Sequence, residues 1–159
     1  MAKSQVQFTK DNEYYTPKKF VDRFGSFDYD PATTKEKAEE FGILHYDTIE
    51  TDGLSKDWTL YGRIWINPPF TRKHEFMAKA WLTYQKVKNN IFILFPIEFL
   101  TTARFYNAVG GGRLFIPNGR ICFESGLGKQ SKSPAFGSVV MKIQDIWEVE
   151  FIDKVYFNI

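Results

Sequence analysis

Between Ile64 and Pro96 the sequence holds a strand, a loop, a helix and a second strand, and a chain with such a unit at its middle is steered toward an α/β sheet. Ile64-Trp65-Ile66 is a short apolar run that reads as a buried strand. Phe76, Ala80, Trp81 and Tyr84 then recur at helical spacing with Lys79, Lys86 and Lys88 between them, so an amphipathic helix covers one face of the sheet. Asn89-Asn90 breaks that pattern. Ile91-Phe92-Ile93-Leu94-Phe95-Pro96 follows as a continuous apolar run of the kind found in central parallel strands, which are buried on both faces.

The loop inside this unit is Asn67-Pro68-Pro69-Phe70. Each proline fixes its own φ and pushes the residue before it toward extended geometry, so Asn67 and Pro68 are both held away from the helical region and the loop is stiff before any ligand arrives. Asn67 Oδ1 and the Pro68 carbonyl are two acceptors, and Phe70 is a ring on which a flat base can stack. Such a loop suits an exocyclic amino group. The alternative is a proline-rich turn whose Phe70 plugs the core.

The 159 residues give room for one domain with a proper core and expect a single domain over 1–159, with the polar residues 1–8 loosely held. Aromatic residues make up 18% of the chain and are spread along it, so most of them must be core filling. A net charge of +2 neither requires nor excludes nucleic acid, because clustering on one face is what counts. The single cysteine, Cys122, excludes a disulfide within the chain, and with only His45 and His74 beside it a metal centre is not expected. No run approaches the roughly 18 apolar residues that span a bilayer, so neither a membrane segment nor a secretory signal is expected, and the compartment implied is reducing cytoplasm.

Upstream, Thr16-Pro17 reads as an N-cap followed by a proline at the first helical position, with Phe20, Val21 and Phe24 forming an apolar stripe and Gly25 as the C-terminal cap. A helix start also presents N–H groups that bind a carboxylate. Phe27-Asp28-Tyr29-Asp30-Pro31 alternates apolar and acidic residues, so Asp30 stands either at the carboxyl end of a strand, where ligands of α/β sheets bind, or on the solvent face of an edge strand with Asp28. Residues 35–41 fit a short helix and 43–46 a strand, after which Asp47 takes the position of a ribose-binding acid or of a solvated loop aspartate. Trp58 is core or ligand wall. Downstream, a helix fits 98–109 with Thr101 or Thr102 as cap, and strands fit 113–116, 120–123, 137–143 and 147–157. Pro117-Asn118-Gly119 signals a hairpin between the first two of these. The loop 124–134, with Lys129 and Lys132 among glycines, and the pair Arg72 and Lys73 beside the Asn-Pro-Pro-Phe turn, are either solvated or phosphate-binding.

The blocks Tyr14-Tyr15-Thr16-Pro17, Phe27-Asp28-Tyr29-Asp30-Pro31-Ala32, Asp52-Gly53-Leu54 with Trp58, Asn67-Pro68-Pro69-Phe70, and the late segments Arg120-Ile121 and Ser133-Pro134 to Val140, in this order, resemble the phage-type DNA adenine methyltransferases. The resemblance runs from about residue 14 to residue 143. It implies a Rossmann-like domain with a mostly parallel, doubly wound sheet ending in an antiparallel hairpin, with S-adenosylmethionine as cofactor and DNA as partner. It implies that Tyr15, Thr16 and Pro17 hold the methionine end of the cofactor, with Asp30 and Asp28 facing it from the first strand, and that Asn67, Pro68, Pro69 and Phe70 form the catalytic loop. One departure is that Pro31-Ala32-Thr33-Thr34 stands where many methyltransferases have a glycine-rich turn. The chemistry then expected is methylation of the amino nitrogen of an adenine flipped out of its stack. Two readings compete: transfer to a glutamine amide or an RNA base, and a DNA-binding module on the same scaffold that has lost catalysis.

Overall fold

The structure, a computed structural model, describes residues 14–119, 121, 124–125 and 137–153. The strands in chain order are β1 (Tyr14–Tyr15), β2 (Tyr29–Asp30), β3 (His45–Tyr46), β4 (Arg63–Ile66), β5 (Asn90–Pro96), β6 (Gly112–Pro117), β7 (Glu124–Ser125), β8 (Ser138–Ile143) and β9 (Trp147–Ile152). The α-helices are α1 (Lys18–Asp22), α2 (Lys35–Phe41), α3 (Lys73–Val87) and α4 (Ala103–Ala108). Seven strands form one mixed sheet in the order β3-β2-β4-β5-β8-β6-β9, while β1 pairs with β7 in a separate antiparallel ladder.

Four of the six pairings in the large sheet are parallel and the two made by β8 are antiparallel. The antiparallel part differs from a terminal hairpin. β8 inserts between β5 and β6, and β9 passes over to the far side of β6 and runs parallel to it, so the two consecutive strands never pair with each other. The hairpin expected at Pro117-Asn118-Gly119 runs into Arg120, Cys122 and Phe123, which lie outside the described residues; Asn118 itself donates to the Ile152 carbonyl at the end of β9.

Alternation along β4 divides the core in two. Ile64 and Ile66 join the cluster built by Phe76, Met77, Ala80 and Tyr84 of α3 and Phe105 of α4, whereas Trp65 joins Phe20 and Val21 of α1 and Ala38 of α2 on the other face. Helices therefore cover both faces, as the continuous apolar run of β5 requires. The aromatic excess is spent here: Phe24 alone lies within 5.3–5.9 Å of the ring centres of Phe20, Trp65, Phe92 and Phe115. Trp58, 1% exposed, belongs to the α3 face and is core.

Several local elements differ from the sequence reading for identifiable reasons. The N-cap of α1 is Pro17, not Thr16, because the Thr16 hydroxyl is engaged elsewhere; the C-cap is Arg23, and Gly25 follows at φ +97°. The single helix expected over 98–109 is two pieces, a 3-10 segment Ile97–Thr101 and α4, because Thr102 is extended and accepts from the Phe105 N–H as an N-cap. Helix α3 ends where Lys88 turns left-handed at φ 52°.

Candidate active site

β2 and β4 are neighbours in the sheet, and their onward connections leave in opposite directions, from β2 to β3 on one side and from β4 to β5 on the other. A reversal of this kind opens a crevice at the carboxyl ends of the strands, the usual ligand position in such sheets. Asp30, Asp47 and Asn67 stand at or just beyond the carboxyl ends of β2, β3 and β4. Asp47 N–H donates to the Asp30 carbonyl at 3.0 Å and the Thr33 N–H donates to the Asp47 carbonyl at 3.1 Å, so the two strand ends are locked side by side.

Asp30 is 2% exposed, which rules out the solvent-facing edge. Its Oδ1 accepts from the Ala32 N–H at 2.9 Å, closing a turn in place of the glycine-rich one. Burial pushes its carboxyl up to about 7, and the Ala32 hydrogen bond opposes that rise only in part. The turn is braced from outside by Gly53, where a Cβ would meet the Pro31 carbonyl oxygen at 1.9 Å; only glycine permits this approach. Trp58 Nε1 and Lys79 Nζ bind the Gly53 and Leu54 carbonyls at 2.8 and 3.0 Å, which ties the Asp-Gly-Leu block to the core and to α3.

Asn67 follows Ile66, and alternation turns it toward the Trp65 face, the one that α1 covers. There its Nδ2 donates to Thr16 Oγ1 at 3.0 Å. Thr16 is 3% exposed, and Pro17 is buried beside it. The backbone of Tyr14–Tyr15 reaches this place as β1, held by β7. Thr16, Pro17, Asp30 and Asn67 thus converge on one face at one end of the sheet, although 51 positions separate the two bonded side chains. Pro68 is buried; Phe70 is half-buried and belongs to neither core cluster, contrary to a plug role. Among the described residues no hydrogen bond engages the Pro68 carbonyl, whereas the Pro69 carbonyl accepts from Arg72 N–H at 3.1 Å.

The other candidates fall differently. Asp47 is half-buried, and its Oδ2 accepts from the Tyr29 hydroxyl at 2.6 Å; burial and this carboxylate raise the Tyr29 pKa well above the ordinary phenol range. Asp28 is not brought to the crevice. It precedes β2, and its Oδ2 accepts from the N–H of Arg63, the first residue of β4, at 2.9 Å, so it sits at the amino ends of the strands. Lys73 turns inward: Nζ donates to the Phe70 carbonyl at 2.8 Å and lies 5.2 Å over the Phe99 ring, and burial together with Arg104 lowers its pKa. Arg72 is paired with Glu75 at 3.3 Å. Lys129 and Lys132 lie outside the described residues. Phe99, 4% exposed, is a core residue of the α3 face, and its ring serves here only as the surface on which Lys73 rests.

The sequence model of the family described as DNA N-6-adenine-methyltransferase (Dam) matches residues 3–155. The chain belongs to the DNA N-6-adenine-methyltransferase (Dam) family. A curated relative, the DNA N-6-adenine-methyltransferase of Escherichia phage T1, is 28% identical over 156 residues, an alignment covering 86% of this chain and 63% of the relative. The chain therefore spans less than two thirds of the length of that Dam protein.

Proposed function

We propose that this chain transfers a methyl group from S-adenosylmethionine to the N6 amino group of adenine in DNA. The observation that carries this reading is the Asn67 to Thr16 hydrogen bond, which joins the Asn-Pro-Pro-Phe loop to the Thr-Pro segment at the crevice. The reversal of strand order between β2 and β4 supports a Rossmann-like reading of the domain.

The residues present fit the cofactor. Asp30 offers a buried carboxyl whose ionised form a neighbouring cation favours, and Thr16 offers a hydroxyl, so the pair matches an ammonium and a carboxylate. Thr16, Pro17 and Asp30 would hold the methionine end, with the backbone of Tyr15 beside them, and Asp47 the ribose; Asp28 has no part. When bound, S-adenosylmethionine supplies an electrophilic methyl on a sulfonium.

The lone pair of an adenine amino group is delocalised into the ring, and the loop must recover it. Asn67 Oδ1 and the Pro68 carbonyl accept the two N–H bonds and bias the nitrogen toward a tetrahedral shape, which frees the lone pair. These bonds strengthen as positive charge develops on the nitrogen, so they favour the transition state over the ground state, and the methylated nitrogen then releases one of its two protons to water. Phe70 stacks on the flipped base. Arg72 is the DNA contact among the described candidates, because an exposed ion pair such as Arg72 to Glu75 is worth little and exchanges readily for phosphate. Lys129 and Lys132 would add further phosphate contacts, and Lys73 instead braces the loop.

Substitution at position 67 tests this reading. Asn67→Ala is expected to lower methyl transfer to DNA by about 10²-fold or more, while Asn67→Asp keeps part of it because a carboxylate also accepts. Equal transfer by Asn67→Ala and the unaltered protein would sink the mechanism.

A further inference from the structure

An asparagine is an ambiguous acceptor. Its side chain ends in Oδ1 and Nδ2, and a half-turn about the last bond exchanges an acceptor for two donors. For the transfer described above, on which this inference rests, the oxygen must face the adenine amino group; the reversed amide would meet it with N–H against N–H. The loop prolines do not decide between the two, because they fix the backbone and not the last side-chain torsion.

We propose that Thr16 is the positioning residue that fixes the orientation of the Asn67 amide. Its Oγ1 accepts from Asn67 Nδ2 at 3.0 Å, so the amide nitrogen is held toward the Thr16 side and Oδ1 is turned away from it. Thr16 is 3% exposed, and water has little access with which to replace the bond. Pro17 confines Thr16 to extended geometry, and β1 anchors the chain just before it, so the hydroxyl is delivered from a fixed point. A hydroxyl that accepts in this bond keeps its own hydrogen for a second acceptor. A carboxylate on the cofactor side would take that hydrogen and commit the oxygen to its accepting role, so that cofactor binding and the orientation of Asn67 favour one another. Thr16 acts through Asn67 and not on the transferred methyl.

A carboxylate at position 67 has two equivalent oxygens and needs no such orientation, which gives the inference a specific test. Thr16→Val keeps the shape and removes the hydroxyl, and Thr16→Ser restores it. At saturating cofactor and DNA, Thr16→Val is expected to lower kcat about tenfold or more, with Thr16→Ser within about threefold of the unaltered protein. In an Asn67→Asp background the same Thr16→Val change is expected to lower kcat less than about threefold, a non-additivity that a packing defect does not produce. Equal losses in the two backgrounds would assign Thr16 a packing role and overturn the proposal. The side-chain amide resonances of Asn67 in nitrogen-15 spectra report the bond whether or not DNA is methylated. They should shift in Thr16→Val and return in Thr16→Ser, and resonances indifferent to both substitutions overturn the positioning role. Methylation of adenine by the unaltered protein tests the underlying reaction separately.

Discussion

At the scale of single residues, the cofactor role proposed for Asp30 would set stability and binding against each other. Folding raises its pKa from an ordinary 3.8 to about 7. Between those values the unfolded chain has released a proton that the folded chain still holds, so the stability linked to this group is full below the lower value and is lost as pH rises to the upper one. Asp30→Asn keeps an acceptor for the Ala32 N–H and removes the titration. Thermal unfolding should therefore show the variant equal to the unaltered protein near about pH 4 and more stable by a few kcal/mol near about pH 8, since each pH unit between the two values is worth about 1.4 kcal/mol. Cofactor binding should show the reverse sign. A cationic ligand favours the ionised carboxyl, so affinity measured by calorimetry is expected to rise as pH passes upward through about 7, and to be weaker and flat with pH in Asp30→Asn. The sequence shows that an acid ends this strand but not which side of it is wet. That is decided by β3, which pairs from positions 45 and 46 and turns a possible edge into an interior strand. The bond between Thr16 and Asn67 was hidden for the same reason, since the two lie far apart along the chain and local rules read Thr16 as a cap.

At the scale of elements, what the crevice needs is rigidity in the turns after β2 and β4. Local pattern was enough to find β4, α3 and β5, whose apolar runs and spacing are strong, while α2 stands where residues 35–41 merely fitted a short helix. It was not enough for the connection from Asp47 to Trp58, where two short 3-10 turns follow from contacts with Pro31 and α3 instead of from periodicity. Gly53→Ala places a carbon against the Pro31 carbonyl and should destabilise the fold by about 3 kcal/mol. For a chain of this size that lowers Tm by roughly 10 °C. Lys73→Met removes the hydrogen bond to the Phe70 carbonyl while keeping the stem over Phe99. It is expected to reduce kcat with little change in DNA binding, because the amine is engaged by the Phe70 carbonyl; an equal fall in DNA affinity would return it to the binding surface.

At the scale of the whole molecule, a reversed strand order brings together blocks that are scattered through the sequence, and helices on both faces leave one end of the sheet for ligands. The α/β class was legible because a run such as 91–96 requires cover on both sides. The position of β9 was not, since nothing in its own residues says whether it pairs with β8 or crosses to β6. If DNA is the substrate, binding should weaken steeply with salt, with log affinity falling linearly against log salt concentration as counterions are released. A protein amide as substrate has no such requirement. The most direct measurement is incubation with methyl-labelled S-adenosylmethionine and DNA, followed by digestion and nucleoside analysis. The predicted result is label in 6-methyladenine; label confined to protein, or to another base, would contradict the assignment of the Asn67 loop to the adenine amino group.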